Sequence, residues 1–226
     1  MLLETDTASE NMRKDLLFFS SHNEPAFRFY AFKDDCVTVG YSQDMSAELD
    51  TQRAAVLGID IAKRPTGGGI VFHSRYDVVF CCVLPLDLFP KGFMSAYHFV
   101  SDIIVSALEQ AGIDACKTGV AEEDAGDRLC FSSAKEYEIT CDGKKLVGIA
   151  QKRTRGKILQ QGTICVSRPD DKIFSILRKA ADSSRYFRSA AVLDDVAGGD
   201  VGKNRILKGL KKIFSERFET KSLSVV

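Results

Sequence analysis

At 226 residues, with 45% hydrophobic and 27% charged side chains, the chain can bury a full core and is too ordinary in composition for a disordered or fibrous protein. Thirty-one basic and thirty-one acidic residues give a formal net charge of zero, which excludes a global attraction to nucleic acid or to an anionic membrane. No apolar run reaches signal-peptide length near Met1 or the ~18 residues of a membrane span later, so a cytoplasmic protein with no nucleic-acid and no membrane partner is expected.

Met12, Leu16 and Phe19 fall at i, i+4 and i+7, predicting a helix over 9–19 with Ser9 as its N-cap. Residues 26–32 alternate Phe27, Phe29 and Ala31 against Arg28 and Tyr30, a half-buried strand, and Lys33-Asp34-Asp35 turns the chain into a second strand over 36–41. The pair reads as a hairpin. Helical spacing returns over 45–57, with Leu49, Ala54 and Leu57 as the core face and Gly58 as the stop.

Strands follow over 59–64, 70–73 and 77–84, the last ended by Pro85. The strongest helical pattern runs over 90–112, where Tyr97, Val100, Ile104, Ala107, Leu108 and Ala111 share a face. Residues 119–127, with four acidic groups and small side chains, read as a loop. A meander follows, with Asp142-Gly143 turning 136–140 into 145–152 and Thr154-Arg155-Gly156 leading into 157–166. Helices over 170–180 and 201–218 close the chain, the second carrying Lys203, Lys208, Lys211 and Lys212 opposite Leu207, Leu210, Ile213 and Phe214. Those lysines read as a solvated face. The order predicts an α+β fold, a mainly antiparallel sheet flanked by helices, as a single domain over 1–226.

The stretch Lys63-Arg64-Pro65-Thr66-Gly67-Gly68-Gly69-Ile70-Val71-Phe72-His73 places three glycines between two β-prone runs. Such a run implies positive φ values or a ligand lying on the backbone. With two cations before it, a phosphate, carboxylate or acyl carbonyl suits it; a glycine turn beside solvated cations explains it equally. Seven cysteines lack C-x-x-C spacing, so neither a disulfide framework nor a metal site is expected. Most are small core hydrophobes, Cys81 and Cys82 above all.

Three further pieces follow in order: Cys130-Phe131 before Tyr137-Glu138-Ile139, then Asp142-Gly143-Lys144-Lys145 before Gly148-Ile149-Ala150-Gln151, then Leu159-Gln160-Gln161-Gly162-Thr163-Ile164. With the glycines and Gly40-Tyr41-x-Gln43, they resemble the lipoate-protein ligase and octanoyltransferase family, whose catalytic fold is shared with biotin-protein ligases. The Cys-Phe pair is closest to the cysteine-dependent octanoyltransferases. The resemblance implies a ping-pong reaction in which Cys130 takes an octanoyl group from octanoyl-acyl carrier protein and passes it to a lysine of a lipoyl domain.

The acceptors it implies are lipoyl domains of 2-oxoacid dehydrogenase complexes or the glycine cleavage H protein. It makes Lys145 the functional lysine beside Cys130. Arg64, Gly67, Gly68, Gly69, His73, Gly148 and Ala150 become the substrate-binding set, with His73 shaping the pocket rather than serving as a base. Lys144 falls on the opposite face of the strand. The sequence departs from the family at Ser74 for a usual Asp, Ile149 for a usual Ser and Gln161 for a usual His. Two alternatives accompany this reading: a ligase using lipoate with ATP and magnesium to make lipoyl-AMP, and a non-catalytic protein that binds acyl groups or lipoyl domains.

Overall fold

Runs rich in β-branched and aromatic residues become strands, and these sort into two sheets. The computed structural model describes residues 3–117, 138–178, 188–197 and 199–219. Its strands are β1 (Glu4–Asp6), β2 (Ala26–Phe32), β3 (Cys36–Val39), β4 (Asp60–Lys63), β5 (Val71–His73), β6 (Val78–Pro85), β7 (Cys116–Lys117), β8 (Ile139–Cys141), β9 (Lys144–Arg153) and β10 (Lys157–Ile164). The helices are α1 (Ala8–Ser21), α2 (Met45–Glu48), α3 (Thr51–Leu57), α4 (Phe93–Gln110), α5 (Leu193–Ala197) and α6 (Gly199–Glu219). The large sheet runs β1-β2-β6-β10-β9-β8-β7 and the small one β4-β3-β5. Pairing is antiparallel except for β1 on β2 and β3 on β4. The expected α+β architecture therefore holds, with two parallel pairs added.

One face of the large sheet carries α4 and α6. Phe29, Phe80 and Cys82 pack there against Val100, Ile104, Leu207, Leu210 and Phe214, and the Phe214 ring lies 5.1 Å from that of Phe27. Gly209 of α6 faces Ala107 of α4, and a Cβ there would make an ordinary contact of 3.5 Å with that of Ala107. The other face carries α1 and the edge of the small sheet, where Met12, Phe19, Tyr30, Phe32, Ala62, Cys81 and Leu159 form one cluster. Strand β2 is thus covered on both faces, with Tyr30 and Phe32 fully buried, rather than half-buried.

Several local expectations are corrected. Helix α1 begins one residue early, because the Thr7 hydroxyl accepts from Glu10 N at 3.2 Å and takes the N-cap from Ser9. Its buried face is Ala8, Asn11, Met12, Asp15 and Phe19, leaving Leu16 45% exposed. Strands β2 and β3 are not a hairpin: both edges of β2 are occupied by β1 and β6, so the turn at Lys33 carries the chain from one sheet to the other.

The helix expected over 45–57 is two helices. Asp50 caps the second by accepting from Arg53 N at 2.9 Å, while its own N–H donates to Ile176 O at 2.7 Å. That pairing and the Leu49–Leu177 bridge also limit the expected 170–180 helix to a 3-10 turn over Asp171–Ile176. Gly58, at φ 66°, ends α3 as expected. Asp142 and Gly143 both take positive φ, 50° and 72°, making the tight turn of the β8–β9 hairpin. The loop expected over 119–127 lies outside the described residues.

Asp77 pins three segments together at the start of β6. Its carboxylate accepts from Val166 N at 2.9 Å and from Ser74 N at 3.0 Å, and burial raises its pKa to about 7 despite those bonds. A folded pKa above the unfolded value of 3.8 means that the folded state holds an extra proton between about pH 4 and 7, so stability falls as pH rises through that window. The stability of Asp77→Asn relative to the natural protein should therefore climb by about 1.4 kcal/mol per pH unit between pH 4 and 7 and level off on either side. Urea titrations at several pH values read this; a difference that does not vary with pH rejects it.

Candidate active site

Between the two sheets lies a cavity of about 410 Å³, counted with its mouth. Its wall draws Met12 from α1, Tyr30 and Phe32 from β2, Thr38 from β3, Val71 and His73 from β5, Val79 from β6, Gly148, Ile149 and Ala150 from β9, and Gln161, Gly162 and Thr163 from β10, with Arg64 just after β4. Four of the residues expected to bind substrate, Arg64, His73, Gly148 and Ala150, are brought together here. The wall is apolar apart from groups that bond to one another.

Arg64 is 6% exposed and spends its guanidinium on the loop that follows it. Nη1 donates to Thr38 O at 2.9 Å and Thr38 Oγ1 at 2.8 Å, and Nη2 donates to Gly67 O at 3.1 Å and Gly69 O at 2.7 Å. The glycine loop is thereby folded back on its own arginine. Gly67, Gly68 and Gly69 stand beside the cavity rather than in its wall. Gly68 takes φ 91°, a left-handed value that favours glycine, and Gly67 has open space where a Cβ would be. The loop also presses on Gly40, where a Cβ would stand 1.8 Å from Gly68 O.

His73 is buried with its ring 4.7 Å from that of Phe32. Burial, assisted by the charge of Arg64, lowers its pKa to about 3, so it is neutral at physiological pH. Thr38 Oγ1, already accepting from Arg64, lies 2.7 Å from Nε2, and Thr163 Oγ1 lies 3.4 Å from Nδ1. The two threonine hydroxyls thus occupy both ring nitrogens of the neutral imidazole. An imidazole this hard to protonate suits the pocket-shaping role.

A second polar network closes the cavity on the α1 side. Asp15, buried on α1, accepts from Arg28 Nη1 at 2.5 Å, Tyr30 Oη at 2.7 Å and Gln161 Nε2 at 2.6 Å. Burial raises the Asp15 pKa, and the Arg28 charge with these three donors opposes the rise. The other end of the Gln161 carboxamide accepts from Thr66 Oγ1 at 2.7 Å. Thr66 and Thr163 stand inside the motifs of the sequence without a role assigned to them, and Asp15 and Thr38 lie outside those motifs. Asp15 has a local signal: an acid three residues after Met12 and four before Phe19, on an apolar helical stripe.

Lys145 has no exposed surface and forms an ion pair with Glu138. It lies on β9 three residues before Gly148, roughly 10 Å along the strand from the cavity wall. Cys130 lies outside the described residues. Cys36, Cys81, Cys82, Cys141 and Cys165 are buried, and burial raises the thiol pKa of Cys36, Cys81, Cys82 and Cys141. Those four are therefore poor sources of a nucleophilic thiolate.

The sequence profile of the lipoyl protein ligase A/B catalytic domain covers residues 7–197. The chain belongs to this family. It is 32% identical to octanoyltransferase LipM of Kyrpidia tusciae over 93% of this chain and 83% of that one. It is 28% identical to octanoyltransferase LipM of Clostridioides difficile over 92% and 83%. Among solved structures, lipoate-protein ligase A bound with ATP superimposes at a TM-score of 0.72 with 22% identity, covering 98% of this chain and 96% of the other, a likeness of fold.

Gln161 stands where the resemblance implies a histidine, and its carboxamide bridges Thr66 and Asp15. An imidazole presents two nitrogens about as far apart as the carboxamide's oxygen and nitrogen, so it too can accept from Thr66 and donate to Asp15. Gln161→His should leave stability within ~1 kcal/mol, whereas Gln161→Leu strands both partners in the interior and should cost about 1–3 kcal/mol. Equal losses from the two in chemical denaturation would refute the bridging role. Gly40→Ala must displace a backbone carbonyl and should cost about 1–3 kcal/mol; an unchanged unfolding midpoint would mean that the loop moves freely.

Proposed function

We propose that this chain is an acyltransferase that moves an octanoyl or lipoyl group onto a lysine of lipoyl domains, the acceptors being those of 2-oxoacid dehydrogenase complexes or the glycine cleavage H protein. The reading places it in the cytosol, with residues 1–226 as one catalytic unit and octanoyl-acyl carrier protein as donor. The observation that carries it is a largely apolar cavity beside Arg64 and the glycine loop in a chain alike to octanoyltransferases over most of its length. An eight-carbon chain suits such a wall, since burying each CH2 contributes about 0.8 kcal/mol.

In the proposed reaction the Cys130 thiolate attacks the thioester carbonyl of the donor. The tetrahedral intermediate collapses with loss of the pantetheine thiolate, which takes up a proton, and leaves an octanoyl thioester on Cys130. The neutral amine of the acceptor lysine then attacks that thioester, forming the amide and returning the Cys130 thiolate and a proton. No oxidant, ATP or metal enters the balance. A thiolate suits this exchange because both thioesters have similar leaving groups.

Lys145 is proposed to polarise the carbonyl in both steps, with Glu138 orienting its ammonium. Arg64 acts by fixing the glycine loop, leaving the half-exposed backbone of Gly67 to Gly69 to border the acyl head. His73, Gly148 and Ala150 hold the chain, and the neutral imidazole keeps charge out of the apolar wall.

Incubation with octanoyl-acyl carrier protein should add one octanoyl mass to the intact chain, labile to hydroxylamine. Cys130→Ala should show no adduct and lose at least roughly a thousandfold in transfer to a lipoyl domain. A Cys130→Ala form that still transfers, or lipoyl-AMP formed from lipoate, ATP and magnesium in place of the adduct, would move the chain to the ligases. No acylation of a lipoyl domain from either donor would leave a binding protein.

A further inference from the structure

Where β9 runs out of the cavity wall it carries cations mounted on aromatic rings. Lys152 follows Ala150 and Gln151, and its Nζ lies 5.5 Å from the centroid of the Tyr41 ring. Lys63, at the end of β4 and next to Arg64, places its own Nζ 5.8 Å from the same centroid. Arg153, next along the strand, points to the opposite face, where its guanidinium carbon lies 3.9 Å from the ring centroid of Phe93 on α4. Tyr41 is 64% exposed and Phe93 39%, although both are large rings that folding would ordinarily cover.

The two lysines border the mouth of the cavity. Tyr41 N donates to Thr66 O at 2.9 Å, and Gly67 N to Gln151 O at 3.4 Å, so the platform is tied to both flanks of the glycine loop. None of Lys63, Lys152 and Arg153 forms an ion pair with a described residue. Asp44, which feels the charge of Lys63, spends its carboxylate on the start of α2, accepting from Ser46 N, Ala47 N and Ser46 Oγ. In a chain of zero net charge, Lys63 and Lys152, on one ring and without an ion pair among the described residues, concentrate positive charge at one place. The ring limits the wandering of two long side chains, as cation–π contacts of about 0.5–1 kcal/mol at exposed sites do.

The two substrates of the proposed reaction differ in charge where they pass this rim. The acceptor brings a lysine, whose ammonium the rim repels. The donor brings its acyl group on a phosphopantetheine arm, whose phosphodiester the rim attracts. We propose that Lys63 and Lys152, braced on the Tyr41 ring, form the subsite for the phosphodiester of the acyl donor's phosphopantetheine arm. The inference rests on the acyltransferase reading and assigns a part of the surface that the acyl cavity leaves unused. Lysines bind such a group as point charges.

The test compares S-octanoyl-phosphopantetheine with S-octanoyl-pantetheine, which lacks the phosphate, in the full chain and in Lys63→Gln/Lys152→Gln. Both lysines reach solvent, so the thermal midpoint of the variant serves as the folding control. The natural chain should prefer the phosphorylated donor in kcat/KM, and the variant should lose about tenfold of that preference, with the acceptor KM unmoved. Calorimetric binding of S-octanoyl-phosphopantetheine should weaken by a like factor, and this reading does not depend on turnover. Transfer with an undiminished phosphate preference in the variant, or a rise in acceptor KM instead, overturns the subsite while leaving the acyltransferase intact. A natural chain that transfers nothing fails the acyltransferase reading, and binding unchanged by the substitutions then fails the subsite separately.

Discussion

One carboxamide joins the parts of this fold that enclose the cavity. Gln161 accepts from Thr66 on the glycine loop and donates to Asp15 on α1, so a single side chain of β10 ties the large sheet to both of the elements that roof it. Asp15 is in turn held by Arg28 and Tyr30 from β2. A buried network of this kind is rigid only when each member is satisfied, since an interior polar group without a partner costs about 1–3 kcal/mol. It also sets register. Sliding β10 by one residue would turn Gln161 away and bring Gln160 to the α1 side, reversing every side chain along the strand.

The polar groups of the cavity divide charge in a consistent way. Arg64 is a fixed cation, yet the four bonds described above go to carbonyls and a hydroxyl, and His73 beside it is kept neutral. His73 loses stability for the protein as pH falls from 6.5 towards 3, because the unfolded chain takes up the proton that the folded one refuses. Asp77 acts in the opposite sense between about pH 7 and 4, where the folded chain holds the extra proton. The two slopes oppose one another from about pH 6.5 down to pH 4, and below that His73 acts without its counterweight. Two buried groups that each carry a penalty alone thus flatten the response of the fold to mild acid.

The readable part of this molecule was its local part. Glycines at 58 and 143, the alternation of β2 and the periodicity of α4 and α6 declare their conformations within a few residues, and the structure follows them. Arg64, His73, Gly148 and Ala150 were legible because a spacing of motifs carried them. The partner of Thr66 is 95 residues away, and that of Asp15 on β10 is 146 away; no window of sequence contains such pairs. The same non-locality explains the false hairpin, since β2 chose its neighbours from β1 and β6. Leu16 was taken for core because leucine is apolar, whereas the tertiary network drew Asp15, one residue before it, to the inside instead. The three glycines read equally as a ligand signal and as a turn; Gly68 takes a positive φ and Gly67 has room for a Cβ, while the close approach falls on Gly40, whose Cβ would meet Gly68 O.

A cavity built this way separates two demands that one surface cannot meet. An alkyl chain needs a dry wall in which polar atoms are already spoken for, and Thr38, His73, Thr163, Gln161 and Thr66 meet that demand by bonding among themselves and to Arg64 and Asp15. Bond exchange at a carbonyl needs charge and mobile protons, which the wall cannot supply. Those lie beyond it: the Lys145–Glu138 pair three residues before Gly148 along β9, and Lys152 two residues beyond Ala150 on the same strand. Strand β9 therefore runs from a buried ion pair, past the apolar wall, to a solvated cationic rim.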